Sequence, residues 1–243
     1  MSIENPAPQE PAFQSMDLAS YPDVTLRGAT LYDLVCKFGS DGKLDYTGER
    51  GNRIICEGTR HEASMRNTRI YFGGARNTIK LGQLKGVSRL DIACIGSSKV
   101  TVGRNDIVRG VTIMASTRAE VTIGPACMMS RDIMIYASGA HGLFSSVDGT
   151  KRGSAHIQIG KKVWLGQGVR ILSGAQVGEG SVIGSYSVLA GKVPNNCAAA
   201  GNPCRVRTRN IFWVSDTISD NYFEHRKKAG LPVPSFVQMT EED

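Results

Sequence analysis

The side chains able to do chemistry are few and scattered. The four histidines are His61, His141, His156 and His225. His141, in SGAHG, and His156, just before IQIG, lie beside the most regular part of the chain, whereas His61 and His225 sit in no motif. A neutral imidazole can take a proton from a hydroxyl near pH 7, so one well-placed histidine suffices for general-base work. A zinc enzyme would instead need three such ligands gathered around the metal. Neither His141 nor His156 has a partner at ligand spacing, so no metal is expected. The six cysteines, Cys36, Cys56, Cys94, Cys127, Cys197 and Cys204, form no CxxC pair and read as reduced thiols.

The element that must position such groups is a rhythm. Residues 157–193 read IQIGKKVWLGQGVRILSGAQVGEGSVIGSYSVLAGKV, with apolar residues every sixth place at Ile159, Leu165, Ile171, Val177, Ile183 and Leu189. One short strand plus a corner per unit gives a three-sided coil of 18 residues. The sixth-place residues then point inward, and the compact residues four places on (Val163, Val169, Ala175, Ser181, Ser187 and Val193) also face in. Glycines directly after the apolar residues are expected to support corners with φ > 0. Trp164 stands between inward-facing Val163 and Leu165, so its indole should lie outside the prism. Taken alone, the repeat would equally describe a non-catalytic scaffold.

Upstream, NTIKLG, SKVTVG and AEVTIG end at Gly82, Gly103 and Gly124, which are 21 residues apart, suggesting the same coil with three extra residues. The chain divides into an N-terminal arm (1–24), a cap segment (25–50), a β-helix domain (51–209) and a C-terminal helix and tail (210–243). Within the cap, TLYDLVCKF at 30–38 suits a short amphipathic helix and, nearly as well, a strand. A glycine- and serine-rich excursion, 137–156, interrupts the domain. The N-terminus has neither a basic n-region nor an apolar core, and no run approaches a membrane span, so a cytoplasmic protein without membrane insertion is expected. The net charge of +7 suits an anionic partner and, equally, ordinary solubility of a chain this size.

IGKKVWLGQGVRILSGAQVGEGSVIGSYSVLAG followed by VPNNCAAAGNPCRVR resembles the hexapeptide-repeat acetyltransferases, which include galactoside and maltose O-acetyltransferases. In layout it is nearest to the bacterial capsular polysaccharide O-acetyltransferases. The resemblance is specific over about 121–210 and looser over 51–120. It implies an all-β fold, a left-handed parallel β-helix with a protruding active-site loop and a short C-terminal helical tail. It also implies a homotrimer with acetyl-CoA as co-substrate between subunits.

In similar enzymes a loop histidine some two dozen residues before a VWIG-type motif is the general base; His141, 23 residues before Trp164, falls there. The resemblance sets Trp164 beside the thioester. Its further implied cofactor contacts are Gly166, Gln167, Gly184, Ser185 and Ala190, with Arg205 and Arg207 near the CoA phosphates. The family often has an acidic residue two places before the histidine, but here that place is Gly139. Asp132, then Asp148, or a backbone carbonyl are the candidates to orient His141. The implied function is direct O-acetylation of a cell-surface polysaccharide of capsule or lipopolysaccharide type, anionic polysialic acid being one possibility, with no nucleic-acid partner. The alternative is a small acceptor: a nucleotide-sugar amine, a simple sugar or an antibiotic.

Overall fold

The computed structural model describes residues 24–26, 44–47, 50–56, 68–84, 87–105, 107–137, 142–152, 155–215 and 221–241. The segment at 30–38, read as a helix or a strand, lies outside these residues, as do His61, Gly139 and His141.

Short strands follow one another around three faces. Face A stacks Val24–Leu26, Thr68–Gly73, Leu90–Ile95, Val111–Ser116, Ile133–Ala137, Arg170–Leu172 and Val188–Leu189. Face B runs in order from Leu44–Thr47 and Arg53–Cys56 through Thr78–Leu81, Lys99–Val102, Glu120–Ile123, His156–Ile159 and Gln176–Val177 to Lys192–Val193. Face C contains Ile107–Val108, Met128–Met129, Trp164–Leu165, Val182–Ile183, Ala198–Ala200 and Arg205–Thr208. Within these sheets the pairing is parallel except at the two ends of the stack. There Leu44–Thr47 returns against Arg53–Cys56, and Arg205–Thr208 against Ala198–Ala200. The result is the expected left-handed parallel β-helix. Among the described residues no helix is long and apolar enough to cross a membrane.

The inward columns explain the strands. Ile70, Ile92, Ile113, Ile135, Ile171 and Leu189 are successive register partners on face A, and all are buried. Each such side chain removed from water contributes about 1.5–3 kcal/mol. All six sixth-place residues are buried, and so are all six compact residues four places on.

The glycines act differently from the expectation. Gly160 and Gly166 are not at positive φ. They are needed because the next coil passes too close for a side chain. A Cβ on Gly160 would lie 2.8 Å from the Glu179 nitrogen, and one on Gly166 would lie 2.7 Å from that of Ser185. The left-handed backbone falls two residues later in five of the six units, at Lys162, Gly168, Gly174, Gly180 and Tyr186.

The upstream units are longer at one place. Ile92 pairs with Ile113, and Val102 with Ile123, at a spacing of 21. Face A strands there have six residues, against three in Arg170–Leu172. The added residues extend face A and the A–B edge, where buried Asn77 takes a hydrogen bond from the Ser98 backbone N–H. The excursion leaves from this same edge, between Ile133–Ala137 on face A and His156–Ile159 on face B. Its described part is an antiparallel hairpin, Leu143–Phe144 against Lys151–Arg152, with Leu143, Phe144 and Val147 exposed.

Among the described residues the tail carries the expected short helix at Tyr222–Lys228, capped by Asn221 and without buried residues. The remainder folds back along the B–C edge, where Asn195 and Asn196 hold it. The Asn196 amide donates to the carbonyls of Ile211 and Phe236, and that of Asn195 donates to the Met239 carbonyl.

Candidate active site

Trp164 lies outside the prism, as its place in the rhythm requires. It is 36% exposed on face C, between Met128 and Val182 in the neighbouring coils. Face C is therefore faced outward by an apolar column, Ile107, Met128, Trp164, Val182 and Ala198, none of them buried.

Past Trp164 the chain turns the C–A edge, and most of the implied donor-binding residues collect there. Gln167 and Ser185 are exposed on successive coils of that edge. The Gln167 amide donates to the Tyr186 hydroxyl at 3.2 Å. Gly166 and Gly184 sit beneath, the first opposite Ser185 and the second opposite Ala200. Arg205 and Arg207 stand on the returning strand that closes face C, both exposed. The Arg207 guanidinium donates to the Ala200 carbonyl at 3.3 Å. Toward the other end the edge continues through exposed Arg131, Arg109 and Arg89. Successive coils are about 4.8 Å apart, so these arginines follow one another as a basic ridge along the prism axis, with Arg89 held by Asp91. Among the described residues, Asp91 and Asp132 lie close to the ridge, and both are engaged. Asp91 binds Arg69 and Arg89. Partial burial pushes its carboxyl up, but the two guanidiniums outweigh this and hold it below the usual range.

Asp132 is also on the C–A edge, at a left-handed φ of 56°, with its carboxylate 3.2 Å from Arg170. Asp148 is in the hairpin turn, accepting from the Thr150 hydroxyl at 2.7 Å, and that hydrogen bond leads those holding its carboxyl low. His156 faces outward on face B, paired in register with Glu120.

The expected site residues thus fall into two groups. Trp164, Gly166, Gln167, Gly184, Ser185, Arg205, Arg207 and Asp132 share face C and the C–A edge. Ala190 is on the A–B edge, between Val188–Leu189 and Lys192–Val193, and the excursion that carries His141 is rooted on that edge too. On a three-sided prism the A–B edge is opposite face C.

Two residues at the site have no motif. Tyr186 occupies a left-handed position with its side chain exposed, and its ring fills the space any side chain on Gly168 would need. Trp213, from the tail, is 8% exposed and has its ring centroid 6.0 Å from that of Trp164. An aromatic in a column of corner residues was a readable signal for Tyr186; nothing local marks Trp213.

A family profile described as bacterial transferase hexapeptide (six repeats) matches residues 156–191. A polysialic acid O-acetyltransferase of Escherichia coli O1:K1 / APEC is 34% identical over 148 residues, covering 58% of this chain and 47% of that protein. The chain spans about half the length of the curated relatives it matches. The crystal structure of the polySia-specific acetyltransferase NeuO superimposes with a TM-score of 0.60 at 32% identity, covering 73% of this chain and 77% of that one. The polysialic acid O-acetyltransferase OatWY has the same fold, with a TM-score of 0.63 at 20% identity over 75% of this chain and 86% of that one. The six-residue rhythm, the stacked three-faced coil and this extended likeness together establish that the chain belongs to the hexapeptide-repeat acetyltransferase family.

Proposed function

We propose that the protein transfers an acetyl group from acetyl-CoA to a hydroxyl of an anionic cell-surface glycan, in an active site completed between two subunits of a homotrimer. The observation carrying this reading is the separation of the two groups of residues. The donor-binding group is on face C and the C–A edge, while the His141 excursion leaves from the opposite A–B edge. One chain supplies each half, and a neighbour supplies the complement. Contacts of this head-to-tail kind close into rings. Face A, between the two edges, has exposed Tyr71, Ile95, Met134 and Leu172 to bury in such a contact. The excursion likewise exposes Leu143, Phe144 and Val147.

Acetyl-CoA fits the residues present. Arg205 and Arg207 offer charge-assisted hydrogen bonds to its phosphates. Trp164 offers an exposed indole for the pantetheine end. His141 takes the acceptor hydroxyl proton as the oxygen–acyl bond forms and the carbon–sulfur bond breaks, with CoA leaving as its thiol. Asp132, which lies with the donor-binding group, orients His141 only across the subunit boundary. The ridge of Arg131, Arg109 and Arg89 supports a polymeric anionic acceptor, and the Escherichia coli relative's named substrate, polysialic acid, is of that class. Use of acetyl-CoA puts the reaction in the cytoplasm. His141→Ala should abolish transfer while leaving CoA binding and the oligomer intact; retained turnover would overturn the assignment.

A further inference from the structure

Among the described residues, Trp213 brings the C-terminal tail to face C. Its indole N–H donates to the Lys162 carbonyl at 2.8 Å. The Lys162 ammonium lies over the same ring, 4.1 Å from its centroid, and 4.8 Å from the centroid of Phe236. The ring of Trp213 in turn meets Trp164 at 6.0 Å and 52°. This stack is fixed at its base. The Ile211 N–H donates to the Asn196 carbonyl, and the fully buried Asn196 amide holds both strands of the tail. Trp164, by contrast, stands on an open face between Met128 and Val182, and Trp213 meets it from the B–C edge.

We propose that Trp213 is a positioning residue for the acyl-donor site, holding the Trp164 indole in the orientation that receives acetyl-CoA and making the C-terminal tail part of that site. The inference rests on the reading of Trp164 as a donor-binding residue. A buried aromatic wall on one side restricts the indole to few rotamers, so less freedom is lost when the donor binds. Lys162 belongs to the same device, because its carbonyl and its ammonium engage the Trp213 indole at once.

Trp164 and Trp213 are the chain's two tryptophans, so each single substitution leaves one indole emitter. The test compares wild type, W213F, W213A and W164F as full-length assemblies, by steady-state kinetics and by fluorescence titration with acetyl-CoA. W213A should raise the KM for acetyl-CoA about tenfold with kcat within about twofold, the pattern of lost binding rather than lost chemistry. W213F keeps a ring against Trp164 and should stay within about threefold of wild type in KM. In W213F the emission of Trp164 should respond to acetyl-CoA. If W213A is recovered only as aggregate, W213L, which fills the space without a ring, carries the same expectation. A wild-type KM in W213A or W213L, with W164F impaired, overturns the role of Trp213 alone. A wild-type KM in W164F, with no emission response in W213F, overturns instead the reading of Trp164 on which it rests.

Discussion

The amide of Gln167 reaches across one coil and donates to the hydroxyl of Tyr186 at 3.2 Å, tying two successive turns of the C–A edge together beside Trp164. Tyr186 is held from beneath by Gly168, where its ring leaves no room for a side chain. Tyr186→Phe keeps the ring and removes the acceptor. One such hydrogen bond contributes about 1 kcal/mol. We expect Y186F to raise the KM for acetyl-CoA a few-fold with little change in kcat, read by steady-state kinetics.

If each active site takes His141 from one chain and Trp164 from its neighbour, two inactive chains should complement. Co-assembly of H141A with W164A creates intact sites wherever a W164A chain presents its excursion to the face of an H141A chain. Random mixing yields about a quarter of the sites in this form. Recovery of activity near that level is expected, measured against each variant alone. Mixtures as inactive as their components would mean that both residues come from the same chain.

The arginine ridge makes a prediction about salt. Attraction between exposed charges is screened over about 8–10 Å at physiological ionic strength. R109A/R131A should weaken a polymeric anionic acceptor about tenfold at low salt and flatten its salt dependence. A short neutral acceptor should be unaffected, as initial rates across a salt series would reveal.

Gly166 tests the stacking rather than the chemistry. A methyl there would be 2.7 Å from the backbone nitrogen of Ser185, so the coils must separate. Overpacking of this kind costs about 1–3 kcal/mol. G166A should lower the thermal midpoint by several degrees, followed by circular dichroism.

The inward positions of the solenoid were legible because burial follows period: Ile159 to Leu189, and Val163 to Val193, need no tertiary information to be assigned. The exposure of Trp164 followed from the same count. The reason for the glycines was not legible, since Gly160 and Gly166 answer to a neighbouring coil 18 residues on, not to their own φ. Trp213 was hidden for a similar reason. Its partner is the Lys162 carbonyl, 51 residues away, and the periodic signal ends before the tail begins. The separation of Trp164 from the root of the excursion emerges only once each strand is assigned to a face, because the two are close in sequence and lie on opposite sides of the prism.

The excursion has a property that concerns ancestry as much as chemistry. Val121 with Ile157, Met129 with Leu165, and Ile135 with Ile171 are all register partners 36 residues apart, twice the regular 18-residue coil. The three faces therefore resume in phase after the chain returns, as though nothing had been inserted. A segment joined in this way can be lengthened, shortened or exchanged without re-aiming one inward side chain. On the proposed function, a change of acceptor then needs only a graft at a single edge and leaves the stacked faces as they are.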